Sequence, residues 1–343
     1  MKKIKAFTIL MVIGGLLFLA ACGGGNGDNA EGTEGTSEEQ IVLNTANITQ
    51  ADNEFSLTLE RIGDELEART DGRITAQHNP AGQLGNESDM MQQLNAGSID
   101  IALITNAQLS NSSPAFGAWL MPFLVDTHEQ AYELWTSDEA MALFDTLENE
   151  NVVGLGYATS GFRYLLSTEP IESVSDLKGF KIRTTPSPTI MDFWNGLESS
   201  PTAMPLTEVY TSLQTNVIDG VDIDTESLVS ENLHEIAPYM TPSKHMYWSA
   251  AIMMNKDLWE SLSEDDQQLI QEVVAEVTKE NAENVSQHEA DLLENGEEEL
   301  GVTIKEFDYS EFDPVSEQVR EKWASENPEI EALLKKAEEI KSE

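Results

Sequence analysis

Two arginines have the residue type and the setting to do chemistry: Arg163 in Gly161-Phe162-Arg163-Tyr164, and Arg183 at the end of Leu177-Lys178-Gly179-Phe180-Lys181-Ile182-Arg183. The chain carries 19 Lys plus Arg against 62 Asp plus Glu, so a cation flanked by apolar residues on a strand-like segment is an exception that needs a reason. A guanidinium offers a planar fork of donors that matches a carboxylate, and desolvating it is costly unless an anion or acid pairs with it. The chemistry is therefore anion capture, with a structural ion pair to one of the many carboxylates as the alternative. The other residue types offer little. The histidines, His78, His128, His234, His245 and His288, are scattered, and no Gly-x-Ser-x-Gly or phosphate-binding glycine loop occurs. Paired carboxylates are plentiful, but at this acidity they arise by chance. An enzyme is not expected, and neither a catalytic residue, a metal site nor a cofactor is indicated.

The elements that must position these arginines alternate in type. Ile41 to Ala46 reads as a buried strand and Phe55 to Arg69 as a helix closed by Gly72. Arg73 to Gln77 is a strand, the turn Pro80-Ala81-Gly82-Gln83-Leu84-Gly85 leads into a helix with Met90, Met91 and Leu94 on one face, and Ser98 to Thr105 is a third strand. This β-α-β-α-β rhythm defines an α/β lobe. Ligands in such sheets bind beyond the carboxyl ends of the strands, which places Thr45, Asn47, Thr105 and Asn106 on a polar rim. Thr127 to Leu147 reads as one amphipathic helix and Val152 to Tyr157 as a strand. After the arginine stretch come a helix near Pro188 to Leu197, another reaching Leu213 and Gln214, and a strand over Val217 to Asp224. Tyr247 to Met254 returns to the first lobe, so two crossings make a hinge. Ser263-Glu264-Asp265-Asp266 caps a helix of about 30 residues that can brace both lobes. A short strand over Val302 to Phe307 and a helix over Ser316 to Lys341, interrupted at Asn327-Pro328, complete the chain.

The start of the chain is of another kind. Lys2, Lys3 and Lys5 precede an uncharged run of about 15 residues, short of the roughly 20 that span a bilayer, and Leu19-Ala20-Ala21-Cys22 matches a lipoprotein cleavage site. Residues 1–22 are thus expected to be a secretion signal, with Cys22 diacylated and anchoring the protein on the extracytoplasmic face of the membrane. Cys22 is the single cysteine, so no internal disulfide can form. Residues 23–40, rich in Gly, Asn, Ser, Thr and acid, read as a flexible tether. The formal charge of −43 excludes nucleic acid as a partner and suits a protein facing high salt.

An ordered set of motifs carries a family resemblance: Pro80-x-x-Gln83-Leu84-Gly85, Leu120-x-Pro122-Phe123, Gly161-x-Arg163, Leu177-Lys178-Gly179-x-Lys181-Ile182-Arg183, Glu208-Val209-Tyr210-x-x-Leu213-Gln214 and Val217-x-Asp219-Gly220. In this order the chain resembles the solute-binding subunit of tripartite ATP-independent periplasmic (TRAP) transporters, the DctP-like family. The resemblance implies an α/β fold of the two-lobe, periplasmic-binding-protein-like (type II-like) kind, with hinge strands and a long bracing helix. Lobe I is expected over 41–160 plus 249–288, and lobe II over 161–248 plus 289–343. It further implies a receptor that closes on a small organic acid and delivers it to TRAP membrane permease subunits. Arg183 would clamp the ligand carboxylate and Arg163 would assist.

The chain departs from the family where Val-Asp-Gly is often followed by an acid and then Asn-Pro. Here Asp222, Ile223 and Asp224 stand, and Ile223 offers no hydrogen bond. Leu206 replaces a frequent aromatic residue beside Tyr210, and Thr105 stands where one branch has an acid. These departures point to a smaller or more apolar acid than sialic acid. Phe162, Trp194, Tyr210, Tyr247 and Trp248 are candidate pocket walls. A binding lipoprotein of an ATP-driven importer shares anchor, lobes and hinge and is the alternative; an adhesive surface protein is disfavoured by the absence of repeats.

Overall fold

The computed structural model describes residues 40–342; the expected signal segment, Cys22 and the expected tether as far as residue 39 lie outside the described residues. Among the described residues nine strands form one sheet: β1 Ile41–Ala46, β2 Ile74–Asn79, β3 Ile101–Thr105, β4 Val152–Ser167, β5 Ile182–Thr184, β6 Thr202–Ala203, β7 Gly220–Asp224, β8 Tyr239–Asn255 and β9 Thr303–Ile304. Their order is β2-β1-β3-β8-β4-β7-β5-β6, with β9 on β8. At either end a parallel triplet, β2-β1-β3 or β7-β5-β6, forms the centre of one lobe. Between them run β4 and β8, antiparallel to each other and to their outer neighbours, and long enough to belong to both halves.

These two crossing strands are where the structure departs most from the pattern in the sequence. The expected strands ended at Tyr157 and began at Tyr247, whereas β4 has 16 residues and β8 has 17. The expected strand already ran through Gly154 and Gly156, and Gly161 lies four residues beyond its expected end. In the structure these glycines sit at two register shifts, between Gly154 and Gly156 and between Thr159 and Gly161, and a third follows between Arg163 and Leu165, so the ladder bends and continues. Gly161 has φ of +87°, and a Cβ there would lie 2.8 Å from a Glu289 carboxylate oxygen. Pro242 is accommodated within β8.

The bracing helix, Glu264–Glu299, is 36 residues long, about 54 Å at 1.5 Å per residue. It is longer than expected because Gly296 lies inside it instead of ending it. Ile270, Val273, Val274 and Val277 bury against the first half of the sheet. Further along, Asn281 accepts from Thr159 N (2.7 Å) and donates to Thr159 O (3.1 Å), and Glu289 accepts from Phe162 N (2.9 Å). One helix thus follows β4 through its bend.

Two apolar layers cover the two faces of the sheet, one including Phe116, Trp119, Tyr164 and Leu292, the other Phe55, Leu59, Trp194 and Val274. Each layer draws on both halves. Several expected elements are shorter or divided. The span Thr127 to Leu147 is two helices, His128–Trp135 and Asp138–Met141, followed by a 3₁₀ stretch, Ala142–Leu147. Ser137 makes the break by capping the second helix through Ala140 N (3.2 Å). β7 starts at Gly220, not Val217, because Asn216 turns left-handed (φ 57°) and Asp219 N bonds to Lys181 O (2.8 Å) in the approach. The strand expected over Val302 to Phe307 reduces to β9. The break at Asn327-Pro328 falls as expected, between the helices Asp313–Glu326 and Pro328–Lys341.

Candidate ligand-binding site

A cavity of about 410 Å³ opens where the strand ends of the two halves meet. Arg183 reaches it from β5, a three-residue strand that follows the left-handed turn at Gly179 (φ 71°). Its Nε and Nη2 both donate to the Met204 carbonyl, at 3.0 and 2.8 Å. No carboxylate among the described residues lies within ion-pair distance of it, although the side chain is 2% exposed. Burial first, and then the neighbouring charge of Arg163, lower its pKa to about 9, so it stays a cation at neutral pH.

Arg163 lines the same cavity from β4 in a contrasting state. Its Nε donates to Asp222 Oδ1 (2.5 Å), its Nη1 to Asp224 Oδ2 (3.2 Å) and its Nη2 to the Asp222 carbonyl. Pairing of β4 with β7 sets Arg163 opposite Asp224 and makes this possible. The guanidinium also lies 4.0 Å from the centroid of Trp248. Asp222 receives Trp194 Nε1 (2.9 Å) and faces His245 Nε2 at 3.5 Å. Burial alone would raise the Asp222 carboxyl, but the charge of Arg163 and the contacts with His245 and Trp194 outweigh it and hold the group well below the usual carboxylate range.

Of the residues singled out from sequence, Arg183, Arg163, Thr105, Leu206 and Ile223 line the cavity. The others lie outside its lining. Thr45 Oγ1 pairs with His78 Nδ1 (2.9 Å), and Asn47 is consumed by Thr49 and Ser56 at 3.1 and 2.9 Å. Asn106 donates to Ser249 Oγ (2.8 Å), Asp222 lies behind Arg163, and the Tyr210 hydroxyl donates to Glu235 (3.1 Å) at the surface. Among the candidate aromatic walls, Trp248 lines the cavity, while Phe162, Trp194 and Tyr247 are core residues.

Sequence reasoning missed Glu87. It is the first residue of the helix Glu87–Asn95, positioned by the Asn86–Asp89 capping box directly after Gln83-Leu84-Gly85. Its carboxylate receives Thr105 N (2.7 Å) and Thr105 Oγ1 (3.1 Å), which makes Thr105 the support for an acid at the cavity wall. Burial pushes the Glu87 carboxyl up, against the Thr105 hydrogen bonds and the charge of Arg183. An acid leading a capped helix just after that turn was the available signal. Asn86, Gln108, Asn111 and Ser227 add uncharged hydrogen-bonding groups. Among the described residues no group of three or more His, Cys, Asp or Glu could hold a metal ion. The site can thus hold an anion at Arg183 and hydroxyl groups along the rest of its wall.

A mixed sheet with two α/β halves joined by crossing strands and a cleft at their strand ends is the architecture of an extracytoplasmic solute receptor. The chain belongs to the bacterial extracellular solute-binding protein family 7 (DctP), whose model matches residues 45–328, and with it to the solute-binding proteins of TRAP transporters. A solute-binding protein of Roseobacter denitrificans is 30% identical over 238 residues, covering 69% of this chain and 73% of that one. Two solved TRAP periplasmic solute-binding proteins are each 26% identical. The one from Sulfitobacter sp. NAS-14.1, with bound β-D-galacturonate, has a TM-score of 0.80 and covers 86% of this chain and 98% of its own. The one from Citrobacter koseri, with bound D-glucuronate, has a TM-score of 0.80 and covers 87% and 99%.

Proposed function

We propose that this protein captures a sugar acid, a polyhydroxylated monocarboxylate of the uronate or aldonate class, and hands it to the membrane subunits of a TRAP transporter without chemical turnover. The observation that carries this reading is Arg183: a buried guanidinium at the cavity, tied to a backbone carbonyl and to no carboxylate. A ligand carboxylate supplies the missing counter-charge, and Arg163, already neutralised, contributes shape and a remaining polar edge. The rest of the wall decides the class. Glu87, Asn86, Gln108, Asn111 and Ser227 suit several hydroxyls, and outweigh Leu206 and Ile223, which had pointed to a smaller or more apolar acid. Relatives solved with galacturonate and glucuronate support the same class.

Closure of the two halves, with lobe I over 41–160 plus 249–288 and lobe II over 161–248 plus 289–343, is part of the proposal. It draws support from the register shifts near Gly161 in β4. So is anchoring through Cys22 on the extracytoplasmic face. Family membership favours a TRAP permease over the ATP-driven importer as the recipient. The test is a thermal-shift screen against uronates, aldonates, dicarboxylates, keto acids and neutral sugars. At a hundred times its Kd a ligand adds about 2.7 kcal/mol, a shift of several degrees. Uronates or aldonates are expected to score, and to fail with Arg183→Ala. Shifts confined to neutral sugars would remove the carboxylate clamp, and shifts confined to dicarboxylates would remove the sugar-acid class.

A further inference from the structure

A second cavity, of about 310 Å³, lies at the junction of three segments: the turn before the helix Glu54–Arg69, the short helix Thr225–Ser230, and the bracing helix Glu264–Glu299. The three are pinned to one another around it. Gln50 Nε2 donates to Glu231 (3.2 Å), Asn53 Nδ2 to Ser230 Oγ (3.3 Å), and His288 Nδ1 is 3.0 Å from Glu226 Oε1. Asp52, Glu226, Asp291 and Glu299 give its walls acid from all three segments, while Leu292 and Leu300 form an apolar side.

Acidity alone would mean nothing in this chain, but the cavity holds a further feature. Thr225, one of its walls, is 2% exposed and its Oγ1 has no hydrogen-bond partner. A buried hydroxyl left without a partner is unfavourable, and a group bound in the cavity would relieve it. A bare metal ion is a poor fit, since among the described residues no three His, Cys, Asp or Glu side chains converge as ligands. An ammonium group on a short alkyl chain matches all three properties: charge for the carboxylates, N–H donors for Thr225 Oγ1, and carbon for the leucines.

We propose that this cavity is a binding site for a small primary alkylammonium cation, held by Glu226 and Thr225. It goes beyond the sugar-acid reading and does not depend on it. The groups facing Glu226 are His288 on the bracing helix, Glu54 with its partner Arg61, Asp224 at the start of its own helix, and Asp52, Asp291 and Glu299 across the cavity. Burial first, opposed by His288 and reinforced by Glu54 and Asp224, pushes the Glu226 carboxyl up to about 7. A cation therefore binds more tightly as pH rises through neutrality, because Glu226 gains its charge.

The experiment is calorimetric titration of the purified protein with n-propylammonium chloride, without any acid ligand, against sodium chloride at equal ionic strength. The expected result is saturable binding of the amine, tighter at pH 8 than at pH 6, and weakened about tenfold or more in Glu226→Gln. Thr225→Val removes the unpartnered hydroxyl at equal shape, so it should hold or raise the melting temperature while weakening amine binding. That combination separates loss of a ligand group from loss of fold. Equal binding of sodium and amine, or amine binding unchanged in both variants, would overturn the site.

Discussion

Arg163 and Arg183 line one cavity and are both buried, yet their surroundings are opposite. Arg163 lies at the bend of β4 and answers two carboxylates and a carbonyl from β7. Arg183 lies at the end of β5 and answers one carbonyl. A buried ion pair locks a strand crossing in one geometry, whereas an arginine held only by a neutral acceptor retains its charge for something that arrives later. Under the proposed function, the difference separates framework from receptor within a single wall.

Four variants and a pH series can break or sharpen this contrast. The largest effect is expected for Arg163→Met, which strands Asp222 in the core and should lower unfolding stability by about 3–5 kcal/mol in denaturant titration. A variant as stable as the parent would show that the two arginines do not differ. Arg183→Lys keeps the charge but loses the fork. It should weaken sugar-acid binding by about 2–5 kcal/mol by calorimetry while leaving the denaturation midpoint nearly in place. An equal loss in stability would move Arg183 to the framework side. With Arg183 depressed to about 9, affinity should be level across neutral pH and fall as pH rises beyond that value, toward about tenfold per unit. A profile flat to higher pH would show that the guanidinium keeps its proton there, as arginines ordinarily do, and would remove the depression while leaving the clamp in place. Glu87→Gln, which leaves Thr105 its acceptor in part, should reduce sugar-acid affinity by about 1–3 kcal/mol with a smaller effect on simple monocarboxylates. Tyr210→Phe, remote from the cavity, should change binding by less than about 0.5 kcal/mol, and a larger loss would extend the site to that helix.

Much of this was legible in the residues, for identifiable reasons. Local signals mark local features: the acid-capped start at Ser263, the stop at Asn327-Pro328, and the apolar spacing of Phe55, Leu59, Ile62 and Leu66 all describe what the chain does within a few residues. Arg183 was legible because a cation amid so much acid is rare. The fate of Arg163 was not, since its neutralising partners stand 59 and 61 positions away and are brought in by the β4 and β7 ladder. Asn47 and Asn106 looked like rim residues, but their amide nitrogens are spent inside the lobe on Ser56 and Ser249. Glu87 was hidden by abundance: among 62 acids, one more beside a turn attracts no notice. In β4 a glycine that bends a ladder and a glycine that ends a strand look alike until the partner strand is known, and in β8, which has no glycine, Pro242 interrupts the strand pattern of the first half.

The two bonds from Arg183 to the Met204 carbonyl have one more consequence. A free arginine side chain carries about 2 kcal/mol of rotamer entropy, which a ligand must ordinarily suppress on arrival. Here that freedom is already lost when β5 pairs with β6 and Met204 N bonds to Thr184 O at 3.2 Å. The side chain is held before anything binds, so in the proposed capture of a carboxylate this share of the ordering is completed during folding and not on arrival of the ligand.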